Sequence, residues 1–208
     1  MNIIYPKLFP IFEFQCPTAI VDRLHENVAG AKFIKNHSLN SISTWIYDKD
    51  LFDWTNQCLK QVLVAIRANS IESVEVVKAW YTKTEKFQQH HYHIHKNSLF
   101  SCVLYLTDGD TGTNLYFPDP WFTAESFLDM TTHNIKINNV VRQKFTTTAV
   151  KGKMIVFPSQ ILHSVDTNTG PTRYSIGMNC MPVGNIGQED DTNNRLNITY
   201  NHIKHGAP

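Results

Sequence analysis

The feature that most constrains this chain is a change of pattern after Ser70. Beyond that point short runs rich in β-branched and aromatic residues follow one another: Val74 to Tyr81, Phe100 to Leu106, Asn114 to Phe117, Met154 to Phe157 and Arg173 to Cys180. Turn-forming residues separate them, as in Thr107 to Gly112 and Asp166 to Pro171. Such runs read as strands joined by turns. Before them, Leu8 to Phe14 reads as a first strand, and two segments show helical spacing. Pro17 and Thr18 open the first helix, Ile20, Val21, Leu24 and Val28 share one face, and Gly30 stops it. The second is expected from Leu51 to Asn69 with Asp50 as its cap. Its stripe of Leu51, Trp54, Cys58, Leu59, Val62, Leu63 and Ile66 is core by its spacing. Two helices followed by many short strands predict a mainly β domain, a sandwich or jelly roll with the helices packed outside.

The chain has 208 residues, enough for one domain with a sizeable core, and 42% of them are hydrophobic. Asp119 to Val141 is polar and patternless, and is expected to be an insertion or lid loop. The tail, 184–208, has the polar, Asn-rich composition of a mobile segment, although Leu196 to Ile203 has the pattern of an added edge strand. Nineteen basic and 18 acidic residues leave a formal net charge of +1, which carries no strong nucleic-acid signal. Met1 to Pro10 lacks the pattern of a secretory signal, and no apolar run approaches a membrane span. Cys16, Cys58, Cys102 and Cys180 form no C-x-x-C pair and sit in apolar surroundings, as buried free thiols do. The expectation is a soluble cytoplasmic protein.

The densest chemistry is Gln88-Gln89-His90-His91-Tyr92-His93-Ile94-His95. On an extended strand, alternation places His91, His93 and His95 on one face, where two neighbours can grip a metal ion. A His-rich surface strand is the plainer alternative. A second cluster follows. Gly152 to Ser159 reads as a turn, an apolar strand and a proline break, with His163 just beyond. Ten residues after His163, Arg173, Ser175, Gly177 and Asn179 share the parity of one strand face. That set packs poorly but suits an anion, because a guanidinium pairs with a carboxylate through two bonds and a hydroxyl adds a third. Here the plainer alternative is an exposed polar face.

The order H-x-H, then G-x-x-x-x-F-P-S, then a distal histidine, then Arg-x-Ser resembles the 2-oxoglutarate and iron(II)-dependent oxygenases, most of all a subgroup found in phages and bacteria. Ser98, Ser101, Val103, Tyr105, Leu106 and Phe117 to Pro120 add to the likeness, which runs from about Trp80 to Met181. The resemblance implies a double-stranded β-helix (jelly roll) and a hydroxylase-type dioxygenase that uses Fe(II), 2-oxoglutarate and O2. It makes His93 and His163 metal ligands and Arg173 and Ser175 the holders of the far carboxylate of 2-oxoglutarate. His95 stands where most relatives have aspartate or glutamate. Three arrangements follow: His95 completes a three-histidine site, His95 stays off the metal, or the register moves to His91 and His93. Relatives often have tyrosine where this chain has Leu104, and Tyr105 or Asn179 is the expected substitute.

Three other readings compete with this one. A cupin-like three-histidine dioxygenase accounts for His95 but leaves Arg173 and Ser175 idle. A non-catalytic metal-binding jelly roll would close its coordination sphere. A metal-dependent hydrolase would need a general base nearby. The substrate stays open among small molecules, peptides and nucleobases. Phe100 to Leu106, with Trp121 and Phe122 of the insertion, are expected at the mouth of the site.

Overall fold

The computed structural model describes residues 1–4, 10–28, 30–35, 42–117, 143–186 and 196–199. In chain order the strands are β1 (Asn2–Ile4), β2 (Ile11–Gln15), β3 (Ile34–Lys35), β4 (Ile42–Ile46), β5 (Ile71–Thr84), β6 (His90–His93) and β7 (Phe100–Tyr105). After these come β8 (Asn114–Phe117), β9 (Gln143–Thr146), β10 (Lys153–Pro158), β11 (Leu162–Val165), β12 (Arg173–Ile186) and β13 (Leu196–Ile198). Helix α1 spans Thr18–Val28 and α2 spans Lys49–Ala65, both between the early strands. A large antiparallel sheet runs β1-β2-β10-β7-β12-β5-β4-β3, with β13 on β12, and a smaller one runs β6-β11-β8-β9. The fold is the expected mainly β double-stranded β-helix with two helices outside.

Side-chain alternation divides the interior in two. On β7, β10 and β12, Cys102, Leu104, Met154, Val156, Ile176 and Met178 point outward and pack against Val21, Leu24, Leu51, Leu59 and Val62 of the helices. Their neighbours point between the sheets. At one end these build a small apolar cluster of Ile11, Leu115, Phe117, Ile155, Phe157 and Ile161. At the other end the inward residues are polar and aromatic, and there the sheets enclose a cavity. Alternation on strands paired along both edges thus supplies an apolar outer face for the helices and a chemically rich inner face.

Both ends of α2 differ from expectation. Asp48, not Asp50, caps the helix: its backbone is extended, and its carboxylate accepts from the Leu51 amide at 2.9 Å. The same carboxylate pairs with Arg23 of α1, which ties the two helices together. The helix stops at Ala65 because Arg67 takes a left-handed φ of 56°. The amides of Ala68 and Arg67 then bond back to the Leu63 and Val64 carbonyls, a Schellman closure without glycine. The strands β5 and β12 run further than their patterns suggest, to Ile71 and Ile186, since they pair with each other through two register shifts that scramble the alternation. The expected lid, Asp119 to Val141, lies outside the described residues, as does most of the tail. All four cysteines are buried and free. Among the described residues, no helix is long and apolar enough to cross a membrane.

Candidate metal centre and anion pocket

The floor of the cavity is laid out by register. Arg173 of β12 pairs with Thr84 of β5. One step along, Ser175 lies between Tyr105 of β7 and Thr82 of β5. Gly177 comes next, between Val103 and Trp80, and then Asn179, between Ser101 and Lys78. The outer strand β4 adds Ser43 beside Thr82 and Trp45 beside Trp80. Directly paired residues on a pleated sheet share a face, so the parity expected for Arg173, Ser175, Gly177 and Asn179 is realised and all four line the cavity. Gly177 is required here: a Cβ would come within 2.6 Å of the Trp80 ring.

The opposite wall carries the histidines. His163 on β11 pairs directly with His93 on β6, and their ring centroids lie 4.1 Å apart. His95 lies past the end of β6. Its amide donates to the Ser159 carbonyl at 3.0 Å, and its carbonyl accepts from Gln160 Nε2 at 3.2 Å. Ser159 is fully buried, with its hydroxyl 2.8 Å from that of Ser98 and 2.9 Å from that of Ser101. The serines that frame the sequence motif therefore hold the turn that carries His95. The result brings His95 Nε2 to 3.1 Å from His163 Nε2. Ligand atoms of His93, His95 and His163 all lie within 4.8 Å of one another.

This donor set fits a metal ion. The Nδ1–H groups of His93 and His163 donate to the carbonyls of His91 and Ile161 at 2.8 and 2.9 Å. A carbonyl only accepts, so each Nδ1 keeps the proton and each Nε2 presents a lone pair. This is the usual way of orienting a metal-binding imidazole. Two imidazole nitrogens each about 2.1 Å from one ion and at right angles to it stand roughly 3.0 Å apart. The His95–His163 separation of 3.1 Å matches adjacent corners of such a site. Desolvation holds the His163 pKa well below the usual histidine value, with His93 adding to the effect. Desolvation, then the charges of His93 and Lys78, push His95 down to about 4 against an opposing contribution from Asn179. His93 is lowered too, mainly by burial. Neutral rings are the form that binds metal.

The alternation expected along the histidine segment does not hold. Two steps along β11, from His163 to Val165, face three along β6, from His93 to His90. This bulge shifts the phase, so that His90 joins His93 in the cavity while His91 is exposed. The register that would have used His91 is therefore not the one formed. His90 was missed, and it lies 3.4 Å from the Thr84 hydroxyl. Desolvation and nearby Arg173 push its pKa to about 3. Trp80, Thr82, Thr84, Lys78 and Trp45 were missed as well. Their signal was present as a second alternating set on β5 and β4, visible only once β5 is extended to Thr84.

At the far end, Arg173 is 2% exposed. Its Nη1 donates to the Thr111 carbonyl at 2.6 Å and lies 3.2 Å from the Thr111 hydroxyl, while Nη2 reaches Thr84 Oγ1 at 3.4 Å. Burial lowers its pKa, although a guanidinium remains charged. Among the described residues it pairs with no carboxylate, and its Nε is buried without a hydrogen-bond partner. A buried cation without an anion is costly, so this end of the cavity is short of one anion. Tyr105 faces the same space, but its hydroxyl is engaged with Thr113 Oγ1 at 2.8 Å and Thr147 Oγ1 at 2.9 Å, and accepts from the Thr113 amide. Leu104 points into the helix-facing core. A tyrosine at that position would not reach the cavity, and its neighbour Tyr105 does. The whole cavity measures about 250 Å³, near the lower bound for small-molecule pockets.

Comparison with known proteins agrees with the fold. The family described as "Putative 2OG-Fe(II) oxygenase" matches residues 78–179, the stretch that holds every histidine and floor residue just described except Ser43 and Trp45. No curated protein matches the sequence. Among solved structures, a Pseudomonas putida prolyl-4-hydroxylase is 16% identical and aligns over 81% of this chain and 91% of its own, with a TM-score of 0.52. A viral collagen prolyl hydroxylase from Paramecium bursaria Chlorella virus 1, solved with 2-oxoglutarate, is 14% identical over 83% of this chain and 96% of its own, with a TM-score of 0.55. HygX from Streptomyces hygroscopicus, solved with nickel and 2-oxoglutarate, is 10% identical over 84% and 82%, with a TM-score of 0.54.

Proposed function

We propose that this chain, whose residues 78–179 match the family described as "Putative 2OG-Fe(II) oxygenase", couples oxidative decarboxylation of 2-oxoglutarate to hydroxylation of a further substrate. In this reading His93, His95 and His163 hold the iron, and Arg173 and Ser175 hold the far carboxylate of 2-oxoglutarate. The observation that carries it is the pairing of three converging neutral imidazoles with a buried, anion-free guanidinium in one cavity. Two of the similar structures hold 2-oxoglutarate, and one of them also holds nickel. That supports the co-substrate and the metal; it does not carry proline, collagen or hygromycin over to this chain.

The chemistry supplied at such a centre is oxidation by dioxygen, with 2-oxoglutarate leaving as succinate and carbon dioxide. The residues of this chain bind and orient. Arg173 and Ser175 fix one end of the diacid, which sets the direction in which its other end meets the histidines. Tyr105, Thr113 and Thr147 form a closed hydroxyl cluster that shapes the wall next to Ser175. The carbonyls of His91 and Ile161 keep the rings of His93 and His163 from rotating. Trp80 stacks on His95, with centroids 5.5 Å apart and planes 24° from parallel.

The inward position of His95 also favours a three-histidine dioxygenase that does without 2-oxoglutarate, a reading that leaves Arg173 without work. Calorimetric titration of 2-oxoglutarate into the nickel-loaded protein separates the two. The oxygenase reading requires binding that depends on nickel and is lost in Arg173→Ala. Absence of any binding by the folded, nickel-loaded protein supports the alternative.

A further inference from the structure

Arg173 and Lys78 mark opposite ends of the cavity floor. Arg173 pairs with Thr84, and Lys78 pairs with Asn179, six residues further along β12. Six residues of strand cover about 20 Å. A five-carbon diacid spans only part of that length, so with one end on Arg173 its other end meets the histidines before the position of Lys78. Among the described residues the cavity is lined by these two fixed cations and by no aspartate or glutamate. The charge of Arg173 is matched by the co-substrate, whereas that of Lys78 is not. Among the described residues Lys78 forms no ion pair; its Nζ lies 3.8 Å over the centre of the Trp45 ring. Trp45 is 54% exposed although it borders the cavity, and it meets the Trp80 ring edge-on at 6.1 Å. An indole so exposed beside a cavity, with an ammonium against it that forms no ion pair among the described residues, is a platform with a charge attached. The ring can stack with a flat group, and an ammonium has three N–H donors to offer an anion.

We infer that the substrate to be oxidised is a small organic anion with a flat ring, its carboxylate or phosphate held by Lys78 and its ring laid against Trp45. The inference rests on the oxygenase reading only for what happens to the molecule afterwards; the binding itself does not depend on it. Lining of one sign also draws such a molecule towards the cavity.

The test uses the nickel-loaded protein saturated with 2-oxoglutarate, which occupies Arg173. Benzoate and phenyl phosphate are titrated against their neutral counterparts, benzamide and phenol, with binding followed by calorimetry. The anions are expected to bind about tenfold more tightly than the neutral pairs, the scale of one charge-assisted hydrogen bond. Lys78→Gln should bring that ratio close to one, and Trp45→Ala should weaken all four probes. Both side chains are exposed, and unchanged thermal midpoints would verify that the variants fold. The carboxylate and phosphate arms tell which anion the subsite prefers. Equal binding of charged and neutral probes, an anion preference that survives Lys78→Gln, or no binding of any probe overturns the proposal. If 2-oxoglutarate itself fails to bind while Lys78-dependent anion binding persists, the oxygenase reading falls and the anion subsite stands.

Discussion

The two walls of the cavity hold their side chains in opposite ways. Arg173, Ser175, Gly177 and Asn179 stand on β12, which is hydrogen-bonded along both edges, to β5 and to β7. His93 and His95 come from the last residue of β6 and the turn after it, and β6 is an edge strand of the smaller sheet. The first wall inherits its geometry from a ladder of backbone bonds. The second depends on a bulge and on three buried serines. A central strand cannot shift its phase without breaking two ladders, whereas an edge strand can bulge at little cost. The anion end of the site should therefore be rigid and independent of the metal, and the metal end sensitive to residues that touch no ligand.

The largest effect should come from His163, which alone among the three proposed ligands sits on a strand paired on both sides. Losing a residue that merely supports a ligand costs about 10–100-fold in metal affinity. His163→Ala should cost more than about 100-fold, and metal analysis after stoichiometric loading should find the variant empty. Metal content equal to that of the parent would remove His163 from the site.

Arg173→Ala tests the rigid wall. Loss of a buried charge-assisted pair should cost on the order of 2–4 kcal/mol, roughly a 30- to 1,000-fold rise in the dissociation constant for 2-oxoglutarate. Metal affinity should barely change, because the ladder that carries position 173 is intact. If both affinities fall together, the two walls are not independent.

Ser159→Ala tests the other wall. It removes a fully buried hydroxyl that joins Ser98 and Ser101, and leaves them short of a partner. The expected cost is about 1–3 kcal/mol of stability by denaturant titration, together with weaker metal binding, since the same turn carries His95. Stability lost with metal affinity unchanged would show that the serines hold the fold and not the ligand.

His95→Asp should have the smallest effect on metal content. Aspartate is shorter but can still ligate, and most members of the resembling family carry a carboxylate at this position. Metal analysis should find the ion retained, with an altered absorption spectrum when 2-oxoglutarate is added. Complete loss of metal would mean that the turn positions a ring and nothing shorter.

The same contrast explains what could be read in advance. Arg173, Ser175, Gly177 and Asn179 were legible as one face because β12 keeps strict alternation from Arg173 to Asn179, and the helix faces were legible from their spacing. His95 was placed on the right side for an incomplete reason. Alternation puts it on the face of His93, but the strand ends at His93, and the hydrogen bond to Ser159 turns the ring in. His90 was hidden by the bulge, which adds a residue without any glycine or proline to announce it. The end of α2 was hidden likewise, because Arg67 occupies a left-handed position that glycine would normally mark. Lys78 and Trp45 could not be assigned because their role depends on cross-strand pairing between β4, β5 and β12, which spans more than 130 residues of sequence.

The most direct test of the central claim is anaerobic absorption spectroscopy with iron(II) and 2-oxoglutarate. A visible charge-transfer band should appear only when both are present, be lost in His163→Ala, and require much higher 2-oxoglutarate in Arg173→Ala. A folded, iron-loaded protein that shows no band at saturating 2-oxoglutarate, or a band indifferent to both substitutions, would contradict that claim.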